Sequence, residues 1–167
     1  MDNSEIEDNN AVESELDELE RIFPEYFSQF SLPEGAHEER ILVYRACKTD
    51  KCDKESFTPT YEEQDCQLRA GDDPADPSLY SLSTYEKPRD VKRFAITNSD
   101  IREPIKIAMG YTEPSCGPVQ RTKERTGKRT SHVDWWLYKD AEPYKYFEII
   151  EDFAAFLEDY RKKKAGE

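Results

Sequence analysis

Glycine is scarce in this sequence: the 167 residues hold six, Gly35, Gly71, Gly110, Gly117, Gly127 and Gly166, each standing alone. A phosphate-cradling turn needs clustered glycines ahead of a helix. Nucleotide binding through a P-loop or a dinucleotide fingerprint is therefore argued against. Long apolar runs are missing too. None approaches the ~20 residues of a membrane-spanning helix, so no membrane association is expected. The N-terminus has neither a basic nor an apolar stretch, which argues against a secretory signal. Histidine is limited to His37 and His132, and cysteine to Cys47, Cys52, Cys66 and Cys116. Cys47 and Cys52 have no second close pair to answer them, so no metal site is expected. Without a signal the thiols read as reduced, and the expected location is cytoplasmic.

Basic residues are nearly absent from the first quarter. Residues 1–39 hold 13 acids against Arg21 alone, a net of −12 within a chain whose total is −13. Such a segment repels phosphate backbones and attracts basic surfaces. Nucleic acid is thus not expected to bind directly, while a protein partner, a basic one among the candidates, is. Oligomeric state is not legible. What the sequence does have is charge and rings. Charged residues make up 37%, against ~25% in an ordinary globular chain. Aromatics reach 12%, with ten Tyr and eight Phe, enough for a core of rings. The reading is one compact domain with a polar appendage.

The pattern divides the chain into a disordered acidic tail over 1–10, an acidic amphipathic helical arm over 11–35, and a single domain over 36–167. In the arm, Val12, Leu16, Leu19, Phe23, Tyr26 and Phe30 recur every three or four residues. Pro24 breaks the seam, so a helix is expected over 11–22 and a second short turn after Pro24. This apolar stripe is assigned to the chain's own core, with a partner's groove as the alternative. Strands are expected over 40–45, 79–85, 104–109 and 133–138. A helix is expected over 88–95 and another from Pro143 onward, with Phe147, Ile150, Phe153 and Leu157 buried. Residues 48–66 and 113–131 read as irregular, the second holding the basic cluster Arg121, Lys123, Arg125, Lys128 and Arg129. The fold class is α+β: a small mixed or antiparallel sheet with N-terminal and C-terminal helices packed on it. Trp135 and Trp136, adjacent on a strand, are expected to point to opposite faces. One would be core, and the other needs cover from a helix or a partner.

Candidate chemistry is thin. Cys116 stands in the turn Pro114-Ser115-Cys116-Gly117-Pro118, which would expose its sulfur. His132 and Asp134 share a strand face, where a hydrogen-bonded pair is the ordinary outcome. Residues 121–129 could grip nucleic-acid phosphates, but their loop offers no ring for base stacking, and a solvated loop that balances the acidic arm is the preferred reading. One further constellation stands out. Arg45 closes the strand-like run from Ile41, Ser81-Leu82-Ser83-Thr84 follows on a later strand, and a short helix over 88–95 comes after it. This arrangement resembles the ADP-ribosyltransferase-like superfamily. The resemblance implies NAD as cofactor, held at phosphate or ribose by Arg45, with Ser81 or Ser83 on the nicotinamide side. It also implies a late glutamate, here Glu148, that stabilises the cationic sugar as nicotinamide leaves. The catalytic set would be Arg45, Ser83 and Glu148, and the cofactor-binding set Arg45 and Ser81. Glu113 and Glu142 fall in loops. The leading functional expectation is nonetheless a non-enzymatic cytoplasmic binding or regulatory protein acting through its acidic surface. The NAD-dependent enzyme is the alternative, and an acidic mimic of nucleic acid is a third.

Overall fold

The computed structural model describes residues 21–98 and 105–166. The expected disorder over 1–10 and the expected helix, up to residue 20, lie outside the described residues. Six strands are present: β1 (Leu42–Cys47), β2 (Leu82–Tyr85), β3 (Lys106–Tyr111), β4 (Val119–Arg121), β5 (His132–Trp135) and β6 (Phe147–Ile149). They form one open sheet in the order β4-β5-β2-β1-β3-β6, every neighbouring pair antiparallel. The described helices are α1 (Thr60–Glu63), α2 (Pro88–Asn98), α3 (Thr122–Thr126) and α4 (Phe153–Ala165), with short 3-10 turns between elements. The class is α+β, and of the two expected sheet types the antiparallel one is observed.

Side-chain alternation along β1 builds the two layers. Val43 and Cys47 face a core shared with Leu82, Val133, Trp135 and Phe147. Tyr44 and Ala46 face the opposite side, where Val91 and Ala95 of α2 and Phe153 and Phe156 of α4 cover them. Irregular segments rather than helices close the first side: Phe57, Cys116 and Leu137 all come from turns or loops. Among the described residues no helix is long and apolar enough to cross a membrane.

The last helix starts later than its periodicity implies. Residues 143–146 form a 3-10 turn, and Phe147 belongs to β6, where it registers against Gly110. Ile150 extends this pairing by donating its N–H to the Ile107 carbonyl at 2.9 Å. The exposed edge of β3 offers unpaired backbone groups, and satisfying them outweighs a helical register. Asp152 then sets the helix start, its carboxylate accepting from Ala155 N–H at 3.1 Å. Lys162, Lys163 and Lys164 occupy the last turn, favourable to the helix dipole.

The tandem tryptophans diverge as expected, and both are fully buried. Trp135 enters the core under the sheet and donates to the Gly117 carbonyl at 3.1 Å. Trp136 points the other way into a cluster with Tyr61 and Tyr80. Its cover is the chain's own arm. After Pro24 a 3-10 turn over Glu25–Gln29 seats Phe23, Tyr26, Phe27 and Phe30 on this cluster. Phe30 stacks on Tyr80 with centroids 4.2 Å apart and planes 4° from parallel. The described part of the apolar seam is therefore core. Trp136 is no exposed anchor for a partner. The approach is close enough to require glycine: at Gly117, where φ is 146°, a Cβ would lie 1.9 Å from the Trp136 carbonyl oxygen.

Candidate functional site

Arg45 lies where the β1–β2 ladder runs out. That ladder has one registered pair, Tyr44 with Tyr85. Beyond it the Arg45 guanidinium bridges the strands, Nη1 donating to the Ser83 carbonyl at 2.8 Å and Nε to the Ser56 carbonyl at 3.0 Å. Nη2 faces Glu63 Oε1 at 3.7 Å, and Lys48 also pairs with Glu63. Burial presses the Arg45 pKa down, with the Glu63 carboxylate pulling the other way. A guanidinium this well bonded keeps its charge. Two of its faces are spent on backbone carbonyls, so it ties the 50s segment and β2 to β1 before it does anything else.

A cleft of about 190 Å³ opens beside it, walled by Arg45, Lys48, Glu63, Gln64, Arg69 and Ser83. Pockets that take drug-sized ligands or cofactors run to roughly 300–1,000 Å³, so this one admits a small polar group. The cleft gathers Arg45, Ser83 and a carboxylate, but the carboxylate is Glu63. Glu148 sits on β6 opposite Met109, which in turn opposes Tyr44, whereas Arg45 aligns with Ala108 and Ile149. By strand alternation Glu148 and Arg45 point to opposite faces of the sheet, with β3 between their strands. Glu63 escaped the sequence reading because 48–66 looked irregular, whereas α1 carries it back toward β1.

Ser81 belongs elsewhere. It is fully buried and donates to Asp134 Oδ1 at 2.6 Å. Asp134, also without exposure, accepts at Oδ2 from Thr122 Oγ1 at 2.7 Å and from Arg125 Nη2 at 2.9 Å. Arg125 reaches on to Gln120 and Ser78, both at 2.7 Å, and lies 5.9 Å from the centre of the Trp136 ring. Burial alone would raise the Asp134 pKa; His132, Ser81, Thr122 and Arg125 together outweigh it and hold it below the ordinary carboxylate value. His132 is held below its usual value, first by burial and then by Arg125, against the pull of Asp134.

This set resembles a catalytic relay, and proton counting shows otherwise. The Thr122 hydroxyl has one hydrogen, and a 2.7 Å contact with a carboxylate commits it to Asp134. Thr122 therefore accepts from the His132 Nδ1–H, a tautomer assigned from the network. Histidine in that role cannot take the threonine proton, so Thr122 has no general base. Among the described residues no buried side-chain nitrogen or oxygen lacks a partner. A closed network of this kind positions α3 and β5. The sequence showed His132 and Asp134 on one face but gave no sign of Ser78, Gln120, Thr122 or Arg125 converging on them.

Burial quiets two of the four thiols. Cys116 is buried rather than exposed by its turn, and its pKa is pushed up to about 11 by burial; Cys47 rises to about 12 for the same reason. All four cysteines are free. Among the described residues no group of three or more His, Cys, Asp or Glu is placed to hold a metal ion.

A broad concavity lies between the arm and the body, a groove of about 810 Å³. Tyr26 and Gln29 of the arm form one wall, Phe57 and Pro59 another, and the 137–144 loop the third, with Tyr138 and Tyr144. Glu25, Glu62 and Asp140 stand against Lys54 and Lys139 at its edges. Burial, reinforced by Glu62, raises the Tyr26 pKa. No protein-family model, curated protein or solved structure matches the chain.

Proposed function

We propose that this chain is a non-enzymatic binding protein and that the groove between arm and body receives a short peptide segment of a protein partner. The groove itself carries the reading. It is of ligand-pocket volume, is walled by rings and prolines that bury apolar side chains at little entropic cost, and is edged by charges of both signs. No activated acid, base or nucleophile stands in it: the hydroxyls of Tyr26, Tyr138 and Tyr144 and the Cys66 thiol all shift toward the neutral form. The test is capture from the native cell extract with the full chain, comparing Tyr144→Ala and Lys139→Glu with the distant control Lys162→Glu on α4. The groove variants are expected to lose the partner at least tenfold. Equal capture by all three refutes the reading.

A second reading is supported by one observation, the meeting of Arg45, Ser83 and the Glu63 carboxylate around a single cleft. Under it the chain is an ADP-ribosyltransferase-like enzyme in which the cleft seats one polar group of NAD and Glu63 takes the part assigned to Glu148. Calorimetry with NAD at millimolar concentration decides it. Binding weakened by Glu63→Gln and by Arg69→Ala supports the reading, and absence of heat removes it. Arg45→Ala is unsuitable because it leaves two backbone carbonyls unpaired.

A further inference from the structure

We propose that the β2–α2 turn and the α3–β5 loop together form a cationic docking surface for a carboxylate-rich peptide, and that its occupant is the chain's own residues 1–20. None of its residues lines the groove described above, so the inference stands apart from that reading.

The surface is assembled by a stitched corner of the fold. Ser131 accepts from the Glu86 N–H through its carbonyl at 3.0 Å and from the Lys87 N–H through its hydroxyl at 3.1 Å. Its own N–H and hydroxyl donate to Asp90 at 3.3 and 2.6 Å. Arg121 forks onto Glu86 at 3.1–3.2 Å, joining the start of α3 to the same corner. These bonds hold the segment bearing Lys87 and Arg89 against Ser131, two residues beyond the Lys128–Arg129 pair, and Arg121 ties in the start of α3, which bears Lys123. All five side chains are exposed, and among the described residues none has an ion-pair partner. Of the nearby carboxylates Glu86 is paired with Arg121, while Asp90, hydrogen-bonded to Ser131, keeps its charge and Glu124 is exposed. A net −13 protein thus presents five exposed cations against two unpaired carboxylates at this corner.

The occupant is indicated by charge and by where the described chain begins. Residues 1–20 carry nine acids (Asp2, Glu5, Glu7, Asp8, Glu13, Glu15, Asp17, Glu18 and Glu20) and no base. Arg21 is held against Glu38 at 3.0 Å. One residue on, Glu39 pairs with Arg121 at 3.2 Å, and His37 bridges to Val119 on β4. The Ile22 carbonyl accepts from the Lys139 N–H at 2.7 Å, so the acidic segment departs from beside Glu38 and Lys139, with β4, the strand that leads into α3 and Lys123, next along through His37. Twenty residues span on the order of 70 Å when extended, ample to lie along the patch. A tether of this length keeps the segment at millimolar effective concentration. Single exposed pairs contribute little, but several acting together resist screening at physiological salt.

Zero-length carbodiimide crosslinking of the dilute full chain tests the proposal, since it joins only a carboxylate and an amine in contact. Peptide mapping of the monomer band is expected to show residues 1–20 joined to Lys87, Lys123 and Lys128, several-fold above Lys51 and Lys106, which are exposed elsewhere. Raising salt to about 0.5 M, where the Debye length falls to roughly 4–5 Å, is expected to suppress those links several-fold. Arg89→Glu with Arg129→Glu is expected to do the same at low salt while leaving the reporting lysines and the thermal midpoint in place. Links spread evenly over all exposed lysines would overturn the proposal. So would a yield indifferent to salt and charge reversal, or links confined to a dimer band.

Discussion

Asp134→Asn isolates the energetic weight of the buried network. The substitution preserves shape and removes one charge from a carboxylate that is fully buried and bonded to Ser81, Thr122 and Arg125. With the amide nitrogen toward Ser81, whose hydroxyl can turn to accept, the amide oxygen still accepts from Thr122 and Arg125. What is lost is the charge opposite Arg125, 2.9 Å away. Breaking a buried ion pair costs roughly 3–5 kcal/mol. The Arg125 side chain is 20% exposed, so water recovers part of this, and a loss of about 2–4 kcal/mol is expected. Set against a typical domain stability of about 5–15 kcal/mol, that is a large fraction. Urea unfolding followed by tryptophan emission reads it directly, because Trp135 and Trp136 are both buried and Trp136 lies under Arg125. A cycle with Arg125→Gln and the double variant should give a coupling of at least about 1 kcal/mol, since removing both charges leaves neither one unpaired. A loss of Asp134→Asn below about 0.5 kcal/mol, or strict additivity in the cycle, would refute the argument.

The same network makes stability depend on pH. His132 is held below its usual value, so as pH falls below about 6.5 the unfolded chain binds a proton that the folded chain refuses. Stability should then decline on acidification from about pH 6.5 down to the folded His132 value, and His132→Gln should flatten that part of the profile. Asp134, also depressed, adds a further loss only at lower pH, as its folded value is reached. His37 is raised and exposed, so its small contribution has the opposite sign, present in acid and lost as pH rises through its folded value. Phe30→Ala removes the ring stacked on Tyr80, and for a partly buried phenylalanine a loss of about 2–3 kcal/mol is expected, with red-shifted Trp136 emission; an unshifted spectrum and midpoint would show that the arm is dispensable. A thiol reagent should find one accessible cysteine in the native protein, Cys66, and four in denaturant; fewer than four without reductant would contradict the free thiols.

Several features were legible in the residues alone, for a local reason. Alternation at Leu42–Cys47 and Lys106–Tyr111 forces two faces on any strand, and neighbouring tryptophans on a strand must part. Proline at 24 and at 88 sets helical turns through its fixed φ. Charge is additive, so the acidity of the N-terminal quarter needs no coordinates. What failed locally was decided by partners distant in sequence. Phe147 and Ile150 have helical spacing, yet the open edge of β3 draws them into a strand. Arg121 and Arg125 look like part of a solvated basic loop, and each turns inward because Glu86 and Asp134 lie across the fold. Glu63, not Glu148, reaches Arg45, because the sheet order places β3 and a change of face between Arg45 and Glu148. A side chain's neighbours along the chain determine its periodicity and its charge. Which groups it meets depends on strand order and face, and those are settled only when the whole sheet has buried its apolar surface and paired its backbone.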